Sequence, residues 1–259
     1  MNATIAITGA AAGIGRALAL RFAREGWRIV GIDADEDAAE RTRFDLVREG
    51  AEVRFLPCDL ADPRAREQLL HELERSKPLH AFVHNAGINR VGPFDEADLA
   101  AERRVLDVNL AAPLAITAGL LRDDLLARGA SLVFVSSLSH YVGYPGAAAY
   151  AASKDGLAAY ARSLEVATSA RGLHVLTVFP GPTRTAHARR HAPPDPSGAS
   201  EKRRMPPEDL ADRIYEAVRR RKRTLIPGMA NRSFAALGQT LPRVTERAMR
   251  RVGMASRNS

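Results

Sequence analysis

At 259 residues and 46% hydrophobic content, the chain suits one α/β domain with a buried core and excludes wholesale disorder. No run approaches 18 apolar residues, residues 2–8 lack the pattern of a signal peptide, and the lone Cys58 has no intrachain partner, so the expectation is a cytoplasmic protein without a membrane span. The net charge of +8 is local: residues 1–183 hold 20 Lys and Arg against 23 Asp and Glu, residues 184–259 hold 18 against 7, so no nucleic acid is expected as partner.

Residues 3–8 read as the first strand. The turn Thr8-Gly9-Ala10-Ala11-Ala12-Gly13-Ile14-Gly15 follows and opens a helix over 14–25. Glycines at that junction let backbone N–H groups approach a pyrophosphate and aim the positive end of the helix at it. A second strand, 28–32, leads to Asp33, 18 residues after Gly15. A carboxylate there can accept hydrogen bonds from both adenosine ribose hydroxyls and repels a 2′-phosphate, which favours NAD over NADP. Capping the helix over 36–48 is the other reading of Asp33.

Further strands are predicted at 52–56, 80–84, 131–136, 174–179 and 224–227, and further helices at 64–75, 99–127, 149–170 and 207–221. Short, apolar strands alternating with helices imply a parallel sheet covered on both faces, a doubly wound α/β fold. Periodicity fails over 183–205, where Pro193, Pro194, Pro196 and Gly198 signal a long substrate loop. Residues 1–230 thus form the catalytic domain. Residues 231–259 form a basic amphipathic tail, with Phe234, Leu237, Leu241, Val244, Ala248 and Val252 recurring at steps of three or four.

Tyr150 and Lys154 stand four residues apart on one of these helices and therefore share a face. An ammonium beside a phenol favours the phenolate and brings its pKa toward working pH, as trading a proton with an alcohol or ketone requires.

The glycine turn, the Tyr-x-x-x-Lys pair and the strand order together resemble the short-chain dehydrogenase/reductase family over roughly residues 3–185. The resemblance implies a Rossmann-type single domain binding NAD. Cys58-Asp59-Leu60 matches the segment whose Asp meets the adenine ring. Asn85-Ala86-Gly87 matches the family's Asn-Asn-Ala-Gly with His84 in place of the first Asn, and Pro180-Gly181-Pro182-Thr183-Arg184-Thr185 matches the segment that holds the nicotinamide carboxamide. The catalytic set by this resemblance is Asn109, Ser137, Tyr150 and Lys154, Ser137 lying 13 residues before Tyr150. Ser137 would hydrogen-bond the substrate oxygen, Lys154 would also bind nicotinamide ribose, and Asn109 would hold a water linking Lys154 to solvent. Taken singly, Ser137 also reads as a strand-end turn residue and Asn109 as a buried helix polar group.

Leu138, His140, Tyr141 and Tyr144 are expected in the substrate-pocket wall, with residues 90–94 and the 183–205 loop. His187 and His191 share i,i+4 spacing, but no Cys or carboxylate joins them and no metal is expected. Arg184, Arg189 and Arg190 suit either an acidic substrate or a solvated loop. The tail is expected to pack on the body or a partner subunit, with weak peripheral contact with an anionic membrane as the alternative. The family assembles as homodimers or homotetramers through its two long helices, here 99–127 and 149–170. The expected reaction is hydride transfer between NAD and a small secondary alcohol or ketone, apolar or acyl-type. Alternatives are a 3-oxoacyl-thioester (acyl-carrier-protein) reductase, or a nucleotide-sensing or nucleic-acid-binding protein of the same fold without turnover.

Overall fold

The computed structural model describes residues 3–142, 146–186, 204–241 and 243–245. Among these, seven strands form one parallel sheet: β1 (Thr4–Thr8), β2 (Arg28–Asp33), β3 (Val53–Pro57), β4 (Leu79–His84), β5 (Leu126–Val135), β6 (His174–Val178) and β7 (Thr224–Leu225). Their spatial order is β3-β2-β1-β4-β5-β6-β7. β1 pairs with β2 on one side and β4 on the other, so the winding reverses between β1 and β4. The crevice beyond the carboxyl ends of those two strands is where such a sheet takes its ligand. The covering helices are α1 (Gly13–Ala23), α2 (Glu36–Arg48), α3 (Pro63–Glu74), α4 (Leu99–Leu106), α5 (Ala112–Arg122), α6 (Ala148–Thr168), α7 (Pro207–Arg219) and α8 (Met229–Thr240).

Successive strand residues point to opposite faces and feed separate layers. Ile5, Ile7, Val83, Val133 and Val135 pack with α1 and α7, whereas Ala6, Phe82, Leu132 and Phe134 pack with α3, α5 and α6. Phe82, Phe134, Ile5 and Ile7 are fully buried, each worth about 1.5–3 kcal/mol relative to exposure. This is the doubly wound α/β fold expected from the alternating apolar runs.

Two elements depart from the sequence reading. The single helix expected over 99–127 is α4 and α5 joined by a wide π-turn, Asp107–Ala111, and it ends at Arg122. Asp124 adopts a left-handed φ of 50° and Leu125 N–H reaches back to Leu120 O at 3.1 Å, closing the helix. The chain then enters β5 at Leu126, five residues before the predicted start at 131. By length and composition the 24-residue stretch Leu99–Arg122 would suffice to cross a membrane, yet half of its apolar window is buried within this fold.

The second departure is in α8. Its apolar periodicity suggested Phe234 and Leu237 as the packing face, but the buried positions are Ala235 and Gly238, and Leu237 stays exposed. Close backbone approach selects small residues: a Cβ on Gly238 would lie 2.2 Å from the carbonyl oxygen of Tyr141. Ala248 and Val252 lie outside the described residues.

Candidate active site

The first wall of the crevice is the glycine turn. Gly9 takes a φ of +67° and its N–H bonds Ile32 O at 2.8 Å, which joins the turn to β2. At Gly15 a Cβ would lie 1.9 Å from Gly9 O, so the turn closes only without a side chain. Thr42 Oγ1 donates to Ala11 O at 2.8 Å and pins the turn from α2. Ala12, at the N-cap of α1, offers no side-chain bond and the first helical turn carries no acid. The leading N–H groups of α1 therefore lack a side-chain cap at the mouth of a cradle that only glycines allow. This donor set suits a dinucleotide's pyrophosphate.

Asp33, at the end of β2, stands against the glycine turn. Its Oδ2 accepts Ala11 N–H at 2.9 Å and its Oδ1 accepts Asp35 N–H at 3.1 Å. The cap of α2 is Asp35, whose Oδ1 accepts Ala38 N–H at 2.9 Å, so Asp33 is not spent on capping. Cys58, bonded through its N–H to Asp33 O, is buried, and burial pushes its thiol up to about 11. Asp59 accepts Ala61 N–H at 3.0 Å and an Arg104 N–H at 2.9 Å, which hold its carboxyl below the usual range. Leu60 is buried against α3, in the same layer as Leu69 and Leu70.

Thr8 ties this half to the catalytic half. Its Oγ1 accepts N–H bonds from both Asn85 and Ala86 at 3.0 Å, while Asn85 Nδ2 donates to Thr8 O and Gly9 O at 2.9 and 3.2 Å. Ile14 packs partly buried against the α1 layer of the core. His84, where the family has its first Asn, points away into the core. It stacks on Phe134 with 4.9 Å between ring centroids, and its Nε2 lies 2.9 Å from Thr117 Oγ1. Burial pushes this imidazole down to about 3, so it stays neutral.

The candidate catalytic half forms where β4, the π-turn, β5 and α6 converge. Lys154 is 4% exposed, and its ammonium donates to Val135 O at 2.8 Å while lying 5.8 Å from the centre of the Tyr150 ring. Desolvation lowers the Lys154 pKa to about 8. Gly87 makes room for it: a Cβ there would lie 3.2 Å from Lys154 Nζ and 3.4 Å from Asn109 Oδ1. Fully buried Asn109 accepts Ile88 N–H at 2.8 Å and donates to Ile88 O at 2.9 Å and Ser153 Oγ at 3.0 Å. Ser153, to which sequence reasoning gave no role, passes the connection on by donating to Tyr150 O at 2.7 Å. Its signal was present in the i,i+3 spacing from Tyr150. Ser136, also unassigned from sequence, donates to Lys154 O at 2.9 Å. Half-buried Ser137 lies two residues beyond the end of β5, and its Oγ accepts Ser139 N–H at 3.1 Å.

The segment after β6 completes the rim. Leu138 N–H donates to Pro180 O at 3.2 Å, and Thr183 Oγ1 donates to Gly181 O at 3.0 Å. A Cβ on Gly181 would lie 2.4 Å from Asn231 Nδ2, which fixes α8 against this segment. Thr185 stands over the glycine turn, its Cγ2 3.2 Å from where a Cβ on Gly13 would be. Of the expected pocket wall, Leu138 is drawn into a buried cluster with Ala158, Phe179 and Ala235, against which Tyr141 also packs. A short 3₁₀ turn, Leu138–His140, carries the chain toward α6 and α8 and causes that inward placement. Tyr144, Arg189, Arg190, His187 and His191 lie outside the described residues, as does 187–203 of the expected substrate loop.

Comparison with known proteins gives a consistent result. The family model described as short chain dehydrogenase matches residues 3–195. The chain is 36% identical to 1-deoxy-11-beta-hydroxypentalenate dehydrogenase of Streptomyces exfoliatus, covering 82% of this chain and 78% of that one. It is 31% identical to 3beta-hydroxysteroid dehydrogenase 1 of Eggerthella lenta, covering 80% and 83%. A structure of a putative NAD(P)-dependent gluconate 5-dehydrogenase from Beutenbergia cavernae, with bound NADP at low occupancy, superposes with a TM-score of 0.75 at 28% identity, covering 86% and 94%. With the match spanning β1 to β6 and the crevice segments from the glycine turn to Thr185, this chain belongs to the short-chain dehydrogenase/reductase family, oxidoreductases that act on hydroxyl and keto groups with a nicotinamide dinucleotide.

Proposed function

We propose that the protein interconverts an apolar, alicyclic secondary alcohol and its ketone, with NAD as its dinucleotide. The observation that carries this reading is the buried Lys154 ammonium, fixed by Val135 O at 2.8 Å and set beside the Tyr150 ring. A cation held in a dry site at that position favours the phenolate of Tyr150 far more than one in water.

The leading N–H groups of α1 and the glycine turn would hold the pyrophosphate, Asp33 the adenosine ribose, and Thr183 and Thr185 the carboxamide end. The bound dinucleotide supplies the hydride acceptor or donor. In oxidation Tyr150 Oη takes the hydroxyl proton, and in reduction it returns it. Ser137 Oγ donates to the substrate oxygen as negative charge gathers there. Asn109 and Ser153 hold the backbone around Tyr150 and Ile88, which keeps the phenol and the ammonium in register. Asp33 supports NAD, since its carboxylate would face a 2′-phosphate at close range. The alicyclic substrate class rests on the pentalenate and hydroxysteroid dehydrogenases among the relatives.

A cytoplasmic homo-oligomer is part of the proposal. Leu99 and Val166 are 75% and 78% exposed on the α4 and α6 flank, apolar surface suited to a second copy.

The test is NADH release across a panel of alicyclic alcohols, sterols and hydroxyacyl esters, run in parallel with NADP. Turnover of a ring alcohol with kcat/KM at least tenfold higher for NAD supports the reading. Turnover with NADP alone would overturn the dinucleotide assignment, and no turnover of any panel member the substrate class.

A further inference from the structure

Beside the catalytic serine, one imidazole touches three segments that the chemistry needs in register. His140 ends the 3₁₀ turn that Ser137 begins, and its N–H donates to Ser137 O at 3.2 Å. Its Nδ1 lies 2.9 Å from Asp155 Oδ1, and Asp155 directly follows Lys154 on α6. Its ring stacks on Phe179 with 5.2 Å between centroids and an interplanar angle of 27°. Phe179 leads into Pro180 and Gly181, and Leu138 N–H of the same turn bonds Pro180 O at 3.2 Å. Tyr141 packs on the ring in a T-shaped contact with 4.9 Å between centroids.

We propose that His140, oriented by Asp155, is a positioning residue that holds the Ser137 turn against both the Tyr150–Lys154 helix and the Pro180–Gly181 segment. This rests on the dehydrogenase reading above.

The physical reason is the looseness of the alternative. A single 3₁₀ turn has few hydrogen bonds of its own, and Ser137 Oγ already accepts Ser139 N–H. Leu138, buried on Ala158 and bonded to Pro180 O, holds the start of the turn, and the His140–Asp155 bond holds its end against α6; displacement of a reacting group by about 1 Å is enough to cost two orders of magnitude in rate. The Asp155 carboxylate keeps the proton on Nδ1 and fixes the plane of the ring, and the stack on Phe179 fixes its depth. His140 needs no contact with substrate to act in this way.

The test is a double-mutant cycle on the full chain with His140→Phe, which keeps the stack and loses the bond, and Asp155→Ala, which removes the partner from a half-exposed position. Turnover of the best alcohol from the panel above is expressed per NADH-binding site counted by fluorescence titration, so unfolded protein does not enter. Each single variant is expected to lose about tenfold in kcat, with KM for NAD within twofold of the parent. The double variant should be no slower than the worse single, because both changes cut one link. Either single variant within twofold of the parent, or losses that multiply in the double, would overturn the proposal. If His140→Phe fails to fold, Asp155→Ala and Asp155→Asn decide by the same criterion. A parent that binds NADH but turns over no alcohol sinks the functional reading itself; an active parent with unchanged variants sinks only the role of His140.

Discussion

Asn109 and Ser153, 44 residues apart in sequence, meet in the interior with Nδ2 donating to Oγ at 3.0 Å, and Ser153 in turn donates to the carbonyl of Tyr150. The backbone that carries the phenol is thereby fastened to the π-turn and, through Asn109 and Ile88, to the end of β4. The backbone of the proposed acid/base residue is thus held from below by buried polar bonds.

Replacing Tyr150 by Phe removes the proposed proton carrier and leaves that scaffold intact. We expect kcat to fall by about three orders of magnitude or more, the scale of a lost general acid/base group. NADH affinity, read by fluorescence titration, should stay within a few-fold of the parent. Turnover within tenfold of the parent would remove Tyr150 from the chemistry.

Asp33→Asn removes a charge and keeps an acceptor for Ala11 N–H. Relief of carboxylate–phosphate repulsion should raise the kcat/KM ratio of NADP to NAD at least tenfold. An unchanged ratio would show that Asp33 does not select the dinucleotide.

Lys154 makes stability depend on pH in the alkaline range. Its folded pKa, about 8, lies below the ordinary 10.5. The unfolded chain therefore binds more protons between those values, and stability rises with pH across that window; below pH 8 the full cost of burying the charge is present. Relative to Lys154→Met, which cannot titrate, the parent should gain about 3 kcal/mol between pH 7 and 10.5. Urea titrations of the two apoproteins at both pH values measure it, and parallel curves would contradict it.

His84 acts in the acid range. Its folded pKa of about 3 lies below the ordinary 6.5. Its contribution is fully present above pH 6.5 and is lost as pH falls toward 3, because the unfolded chain takes up the proton first. A His84→Gln variant should show about 2 kcal/mol less loss of stability between pH 6.5 and 4.5 than the parent. Equal acid sensitivity in chemical denaturation would place the buried proton cost elsewhere.

Much of the site was legible because its signals are local. The glycine turn sits directly after a strand, Asp33 ends the next one, and the Tyr150–Lys154 spacing needs only helical periodicity. The bonds that set the geometry were not legible, since Asn109–Ser153 and His140–Asp155 pair residues from different elements and no single segment betrays them. The break at Asp107–Ala111 was hidden because α4, the turn and α5 share one apolar pattern. The start of β5 was hidden because Leu125 and Leu126 fit a helix as well as a strand, and only the left-handed Asp124 separates them. The burial of Leu138 against Ala158, Phe179 and Ala235 was hidden for a related reason: nothing in the order Ser-Leu-Ser-His announces the one-turn helix that carries it.

The wide turn at Asp107–Ala111 has a consequence for how the two ends of the crevice are geared together. It holds one residue more than a regular α-turn, and a residue advances a helix by about 100°. Trimming a single position there would let the ladder regularise and swing everything upstream by that angle. Arg104 would be carried away from Asp59 while Asn109 kept its grip on Ile88. The Asp59 end and the Asn109–Tyr150 end of the crevice are phased to each other by this irregular loop of helix, so a length change of one there would cost more than most substitutions around it.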